Sequence, residues 1–178
     1  MRKIKLYIAI SLDGYIARPD GDLDWLTTFP NPEASDYGYQ EFYDTIDTII
    51  MGGKTHRTIV AMAIPWPYED KTSYIVSRQE GRSSTQQIRI LNDNPIQAIT
   101  QLKEQDGKAI WLVGGGELVA LLLNHDLIDT MIITTIPTLL GSGIPLFPTP
   151  IKGSDWNVVH TQSYTNGVMT TEYEISKK

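Results

Sequence analysis

The sequence predicts an α/β fold: a mostly parallel central sheet with helices on both faces and an antiparallel hairpin at its C-terminal end. Three observations predict it. Short apolar runs alternate with helical patterns as far as His125. Two of those runs end in glycine turns that open helices, Gly52-Gly53 and Gly114-Gly115-Gly116. Beyond them the chain reads as strands only, with Asn166-Gly167 as a hairpin signal near its end.

Taken in order, Lys3 to Ile10 is a strand that "SLDG" stops in a turn. Tyr15 to Pro32, dense in Gly, Pro and Asp, reads as a long functional loop. Ser35 is placed as the cap of a helix running to Ile46. "DTIIMGG" is a buried strand and "KTHRTIVAM" the helix after it. "TSYIVS" and "IRIL" are strands, and "NPIQAITQLKEQ" is a helix capped by Asn94 with Pro95 at its first position. "KAIWLV" is a strand and "GELVALLLNH" a helix. "IDTMIITTIP" is a strand, "LLGSGIPLF" a loop with a short strand, and "WNVVHTQSY" pairs with "GVMTTEYEI". No repeat or linker divides the chain, so one domain over residues 1–178 is expected.

The totals narrow the function. With 178 residues, 41% of them hydrophobic, the chain can bury a sizeable core. A net charge of −6 argues against a nucleic-acid binder, which needs a concentrated basic face. The absence of cysteine removes disulfides, thiolate nucleophiles and cysteine-ligated metals, and three scattered histidines do not make a metal site. The apolar stretch after the basic N-terminus is too short for a signal peptide, and no run approaches the roughly 20 residues of a membrane span. A cytoplasmic protein acting on a small molecule, with no metal, nucleic-acid or membrane partner, is the expectation.

Glycine turns into helices at strand ends suit an anion, because main-chain N–H groups and the positive end of the helix dipole meet there. Two nucleotide signatures nevertheless fail. In G-x-G-x-x-G from Gly114 the third glycine falls on Val119, and Thr134 to Ile136 stand where the acidic residue belongs. "GGKT" imitates a P-loop, but Thr48 occupies the first glycine position. Simple helix–strand packing explains either turn alone, whereas two at corresponding strand ends suit a ligand with several phosphates. Between residues 54 and 92 the bases Lys54, Arg57, Lys71, Arg78, Arg82 and Arg89 outnumber the acids Glu69, Asp70 and Glu80.

"IAISLDGYIA", "GDLDWL", "DTIIMGGKTH", "SYIVSR", "WLVGGGELVALLL" and "MIITTIPTLLGSGIPLFP", in that order, resemble the dihydrofolate reductase superfamily. They are closest to the reductase domain of bifunctional riboflavin-synthesis enzymes, the RibD C-terminal type. That resemblance implies a three-layer dihydrofolate reductase-like fold and NADPH across the carboxyl ends of the strands. It implies that Ile8 and Ala9 hold the nicotinamide carboxamide by their main chain, with Ile16 in the same set. Gly52, Gly53, Lys54 and Thr55 would take phosphates. Ser77 and Arg78 would stand beside the 2′-phosphate, and Val113, Gly114, Gly115, Gly116, Glu117 and Leu118 would form the second turn. Tyr15 to Trp25 would close over the nicotinamide. Relatives often carry arginine where this chain has Gly53 and Glu117, so preference for NADPH rests on Arg78, Lys54 and Arg82.

Reduction of a C=N bond also needs a proton. Asp13, characteristic of the riboflavin-type branch, and Asp36, by position on the first helix, are the candidates, with Trp25 beside the active site. Asp22 and Asp24 flank the loop. Each has a plainer reading as a turn, surface or helix-start carboxylate. His56 and His125 are placed on helix surfaces. The zinc deaminase partner domain needs cysteines that this chain lacks. The expected activity is NADPH-dependent hydride transfer to a pyrimidine or pteridine, similar to 5-amino-6-(5-phosphoribosylamino)uracil reductase. Dihydrofolate reductase activity and a nucleotide- or flavin-binding module without turnover are the alternatives. The resemblance also makes a homodimer plausible.

Overall fold

The computed structural model describes residues 1–78 and 87–176. Its main sheet takes β1 (Ile4–Ser11), β3 (Ile46–Gly52), β4 (Thr72–Val76), β5 (Ile88–Leu91), β6 (Ala109–Gly114), β7 (Thr130–Ile136), β9 (Trp156–Ser163) and β10 (Met169–Ile175). The order across it is β5-β4-β3-β6-β1-β7-β10-β9. Neighbours from β5 to β7 are parallel, and β10 and β9 join antiparallel. The helices are α1 (Asp24–Thr27), α2 (Tyr39–Asp44), α3 (Gly53–Ala61), α4 (Pro95–Glu104) and α5 (Gly116–Asn124). β2 (Tyr15–Ala17) and β8 (Ile144–Pro145) form a separate two-stranded sheet.

Alternation along the strands makes the three layers. Leu6, Ile50, Ile110 and Leu112 belong to a core with Ile99 and Leu102 of α4 and Leu118 and Leu122 of α5. Their strand neighbours Ile49, Met51 and Trp111 pack instead with Phe42 of α2, and Ile59 of α3 lies against that second core. Adjacent residues on a strand point to opposite faces, so both faces of the sheet are covered by helices.

Most elements lie within a residue or two of their sequence positions. Asn94 accepts the Gln97 N–H and Pro95 opens α4, as the capping signal requires. The region from Tyr15 to Pro32 departs from a plain loop: it carries β2 and α1. The helix placed from Ser35 to Ile46 is shorter at both ends. Tyr37 and Gly38 adopt φ of 53° and 82°, which no α-helix tolerates, so α2 starts at Tyr39. The side chain at that start belongs to Asp36, which accepts the Gly38 and Gln40 N–H groups, whereas the Ser35 hydroxyl accepts the Tyr37 N–H. Ile46 already belongs to β3. Arg82 lies outside the described residues. Among the described residues no helix is long and apolar enough to cross a membrane.

Candidate active site

Parallel strands end at one edge of the sheet, and register brings their ends level. Gly52 pairs with Val76, and Met51 with Gly114. A crevice opens there between β1 and β6. Their recorded ladder runs from Ile4 opposite Ile110 to Leu6 opposite Leu112, while β1 stays paired with β7 as far as Ser11 opposite Ile136. Gly114 turns β6 away at a φ of 128°, a conformation that favours glycine. Ile8 and Ala9 lie on this one-sided stretch. The Ile8 Cδ1 stands 3.3 Å from where a Cβ on Gly114 would be, so a side chain there would crowd the crevice. In open α/β sheets ligands bind at such a switch in strand order.

The two glycine turns meet above it. α3 and α5 are each nine residues long, and their N-cap residues, Gly52 and Gly115, bring no side chain to cap the first N–H groups. Two helix N-termini without a side-chain cap therefore face the same space, each with a partial positive charge. A Cβ on Gly53 would lie 3.0 Å from Ser77 Oγ and 3.3 Å from Arg57 Nη1, and one on Gly115 would lie 3.4 Å from Thr55 Oγ1. The Gly114–Gly115 peptide is cis. Lys54 Nζ donates to Glu117 Oε1 at 2.8 Å, joining the two turns. That hydrogen bond and the Lys54 charge, with a smaller effect from Arg78, hold the Glu117 carboxyl below its usual range.

Gly53, Lys54, Thr55, Ser77, Gly115 and Glu117, separated in sequence, thus form one cradle, with Arg78 close enough for its charge to act on Glu117. Leu118 is buried in the first core, and Val113 is half-buried against the second core on the opposite face. Ile16 packs at the rim of the first core on β2. Gly116 serves packing: a Cβ there would lie 2.3 Å from the Pro145 carbonyl oxygen. The donor set, main-chain N–H groups with Lys54, Arg57 and Arg78, suits a phosphorylated dinucleotide. Glu117 brings a carboxylate to the same cradle.

The candidate acids are both engaged. Asp13 accepts the Ser11 hydroxyl at 2.6 Å and the Leu140 and Gly141 N–H groups, which pin the segment after β7. These bonds, the one from Ser11 foremost, pull its pKa below the usual aspartate value. Asp36 is exposed at the start of α2, and its bonds from Gln40 and Gly38 lower its pKa too. Trp25 is 5% exposed and packs with Ile136 and Val168, and its Nε1 has no hydrogen-bond partner among the described residues. Asp24 pairs with Arg18 at 2.6 Å, and Asp22 caps the Asp24 N–H. His125 is exposed. His56 is half-buried against Trp66, and burial foremost lowers its pKa.

Sequence reasoning missed the parts that depend on approach across the fold. Arg57 stands in the sequence only as one of six bases in a positively charged stretch, without a place of its own at the glycine turns. Its signal was its spacing four residues after Gly53 on one helix face. Ser11 and the 140–141 main chain gave no local signal as partners of Asp13. Gly143 gave none either, yet a Cβ there would lie 2.4 Å from the Ala17 carbonyl oxygen.

Comparison with known proteins agrees with this architecture. A family model described as the RibD C-terminal domain matches residues 2–170. "Uncharacterized protein YwjB" of Bacillus subtilis (strain 168) is 42% identical over 146 residues, 82% of this chain and 83% of that protein. "Uncharacterized protein YyaP" of the same organism is 32% identical, covering 97% and 94%. A putative riboflavin biosynthesis protein from Shewanella sp. PV-4 superposes with a TM-score of 0.88 at 30% identity, over 98% of this chain and 99% of that one. The dihydrofolate reductase of Enterococcus faecalis, complexed with NADP(H) and RAB-propyl, shares the fold at a TM-score of 0.72 and 18% identity, over 98% and 97%. So does a diaminohydroxyphosphoribosylaminopyrimidine deaminase/5-amino-6-(5-phosphoribosylamino)uracil reductase from Thermotoga maritima, at 0.73 and 15%, over 98% of this chain and 57% of that one.

Proposed function

The chain belongs to the RibD C-terminal domain family, and from that premise we propose that it is an NADPH-dependent reductase acting on a C=N bond of a pyrimidine- or pteridine-type heterocycle. The observation that carries the reading is the cradle. Two helix N-termini without side-chain caps, joined across their turns by Lys54 and Glu117, lie at the strand ends beside Ser77 and Arg78. Main-chain N–H groups of the turns would hold the diphosphate, and Ser77, Arg78 and Lys54 the 2′-phosphate. Ile8 and Ala9, on the one-sided stretch of β1, would offer main-chain groups to the carboxamide, and Ile16 would border it.

Bound there, NADPH supplies a hydride from C4 of its nicotinamide. The chain must then see a proton delivered to the substrate nitrogen. Asp13 and Asp36 are held ionised by their N–H and O–H donors, so in this reading they orient a water instead of surrendering a proton of their own. Trp25 is buried, indole nitrogen included, so its place in this reading is to pack beside the site rather than to hand over a proton. The reading includes a cytoplasmic setting and a homodimer.

NADPH titration by tryptophan fluorescence and thermal shift is the first test. Absence of both binding and stabilisation overturns the reading. Loss of dihydronicotinamide absorbance with phosphoribosylaminopyrimidines then reports turnover, and a methotrexate-sensitive rate with dihydrofolate would identify the folate reaction instead. Because no proton donor is assigned, a second reading is a nucleotide- or flavin-binding module without turnover. It would give tight NADPH binding and no oxidation with any substrate.

A further inference from the structure

We infer that Glu117 is a specificity-determining residue: its carboxylate occupies the cradle as a built-in counter-anion to Lys54 and limits how strongly a 2′-phosphorylated dinucleotide is preferred over one without that phosphate. This rests on the dinucleotide reading of the cradle. Glu117 is the second residue of α5 and Lys54 the second residue of α3. Their 2.8 Å contact therefore sets the carboxylate against the Lys54 ammonium, a cation that the proposed 2′-phosphate would need.

The pair is not there for stability. Both side chains are largely exposed, 79% for Lys54 and 72% for Glu117, and exposed pairs contribute little to folding. Its effect falls on the incoming anion. A diphosphate held by main-chain N–H groups keeps those donors whatever Glu117 does. A 2′-phosphate depends on the cations Lys54 and Arg78, and Glu117 engages the first directly while feeling the charge of the second. To bind, the dianionic phosphate must take Lys54 from Glu117 and accept a carboxylate nearby.

The test is Glu117→Gln, which keeps shape and removes charge at an exposed position, with an unchanged melting temperature as the folding control. Adenosine 2′,5′-bisphosphate and 5′-AMP, then NADPH and NADH, are titrated calorimetrically against wild type and variant at low salt. The two ligands with a 2′-phosphate should bind the variant about threefold to tenfold more tightly, and the two without it less than about twofold. The gain should shrink in high salt. An equal gain for both classes, no gain, or a loss overturns this inference while leaving the dinucleotide reading intact. Failure of wild type to bind any of the four ligands overturns that reading, and this inference with it.

Discussion

Replacing Gly116 by alanine tests how the second turn is held. The new Cβ would lie 2.3 Å from the Pro145 carbonyl oxygen, 3.1 Å from Pro148 Cδ and 3.2 Å from the Leu146 carbonyl oxygen. The first is roughly 1 Å inside van der Waals contact, and two of the three neighbours are main-chain atoms with no rotamer to change. Either the start of α5 or the 145–148 segment must move. Overpacking of this kind costs about 1–3 kcal/mol. Gly153→Ala is the control, since nothing lies within 4 Å of its Cβ position and its φ is not in the left-handed region. It should be neutral or stabilise by about 0.4–1 kcal/mol through the unfolded chain. Urea unfolding of both variants, at an unchanged m-value, gives the difference. Gly116→Ala within about 0.5 kcal/mol of wild type would refute the claim that close packing requires this glycine.

Arg78→Ala should weaken NADPH by about tenfold while NADH changes little, because the side chain serves the 2′-phosphate; equal losses by titration would remove that assignment. Asp13→Asn should loosen the 139–141 segment, read as faster amide exchange at Leu140 and Gly141. The folded pKa of Asp13 is lowered, so its contribution is present above the ordinary aspartate value and lost as pH falls through the lowered one. The gap in melting temperature between wild type and Asp13→Asn should accordingly close in acid, and a gap independent of pH would contradict it. Trp25→Phe removes an N–H that has no protein partner, so its stability change should be only that of lost packing, about 0.5–1.5 kcal/mol. A loss above about 3 kcal/mol in urea unfolding would show that the indole N–H has a structural bond.

The architecture was legible because two local periods carry it. Alternation in "IKLYIAIS" and the continuous apolar run "AIWLV" mark strands, the second of the kind buried on both faces, and Asn94-Pro95 marks a helix start by hydrogen-bond and φ chemistry within four residues. The glycine turns were legible as a cradle for the same reason, since a missing side chain at a strand end is visible without a fold. The start of α2 was not, because backbone turns at Tyr37 and Gly38, not the capping propensity of Ser35, set it.

The sequence by itself determined most of the strands and helices of the main sheet, the glycine turns and which charges are available, but not β2, α1 or the start of α2. Tertiary structure alone decided which of them meet. Parallel register brought residues 52–55, 77–78 and 114–117 to one edge, and across that edge Glu117 took Lys54 as its partner. Packing of the segment after β7 gave the Asp13 carboxylate to two main-chain N–H groups. Local propensity acts over a few residues, whereas an ion pair 63 positions apart exists only when the sheet assembles.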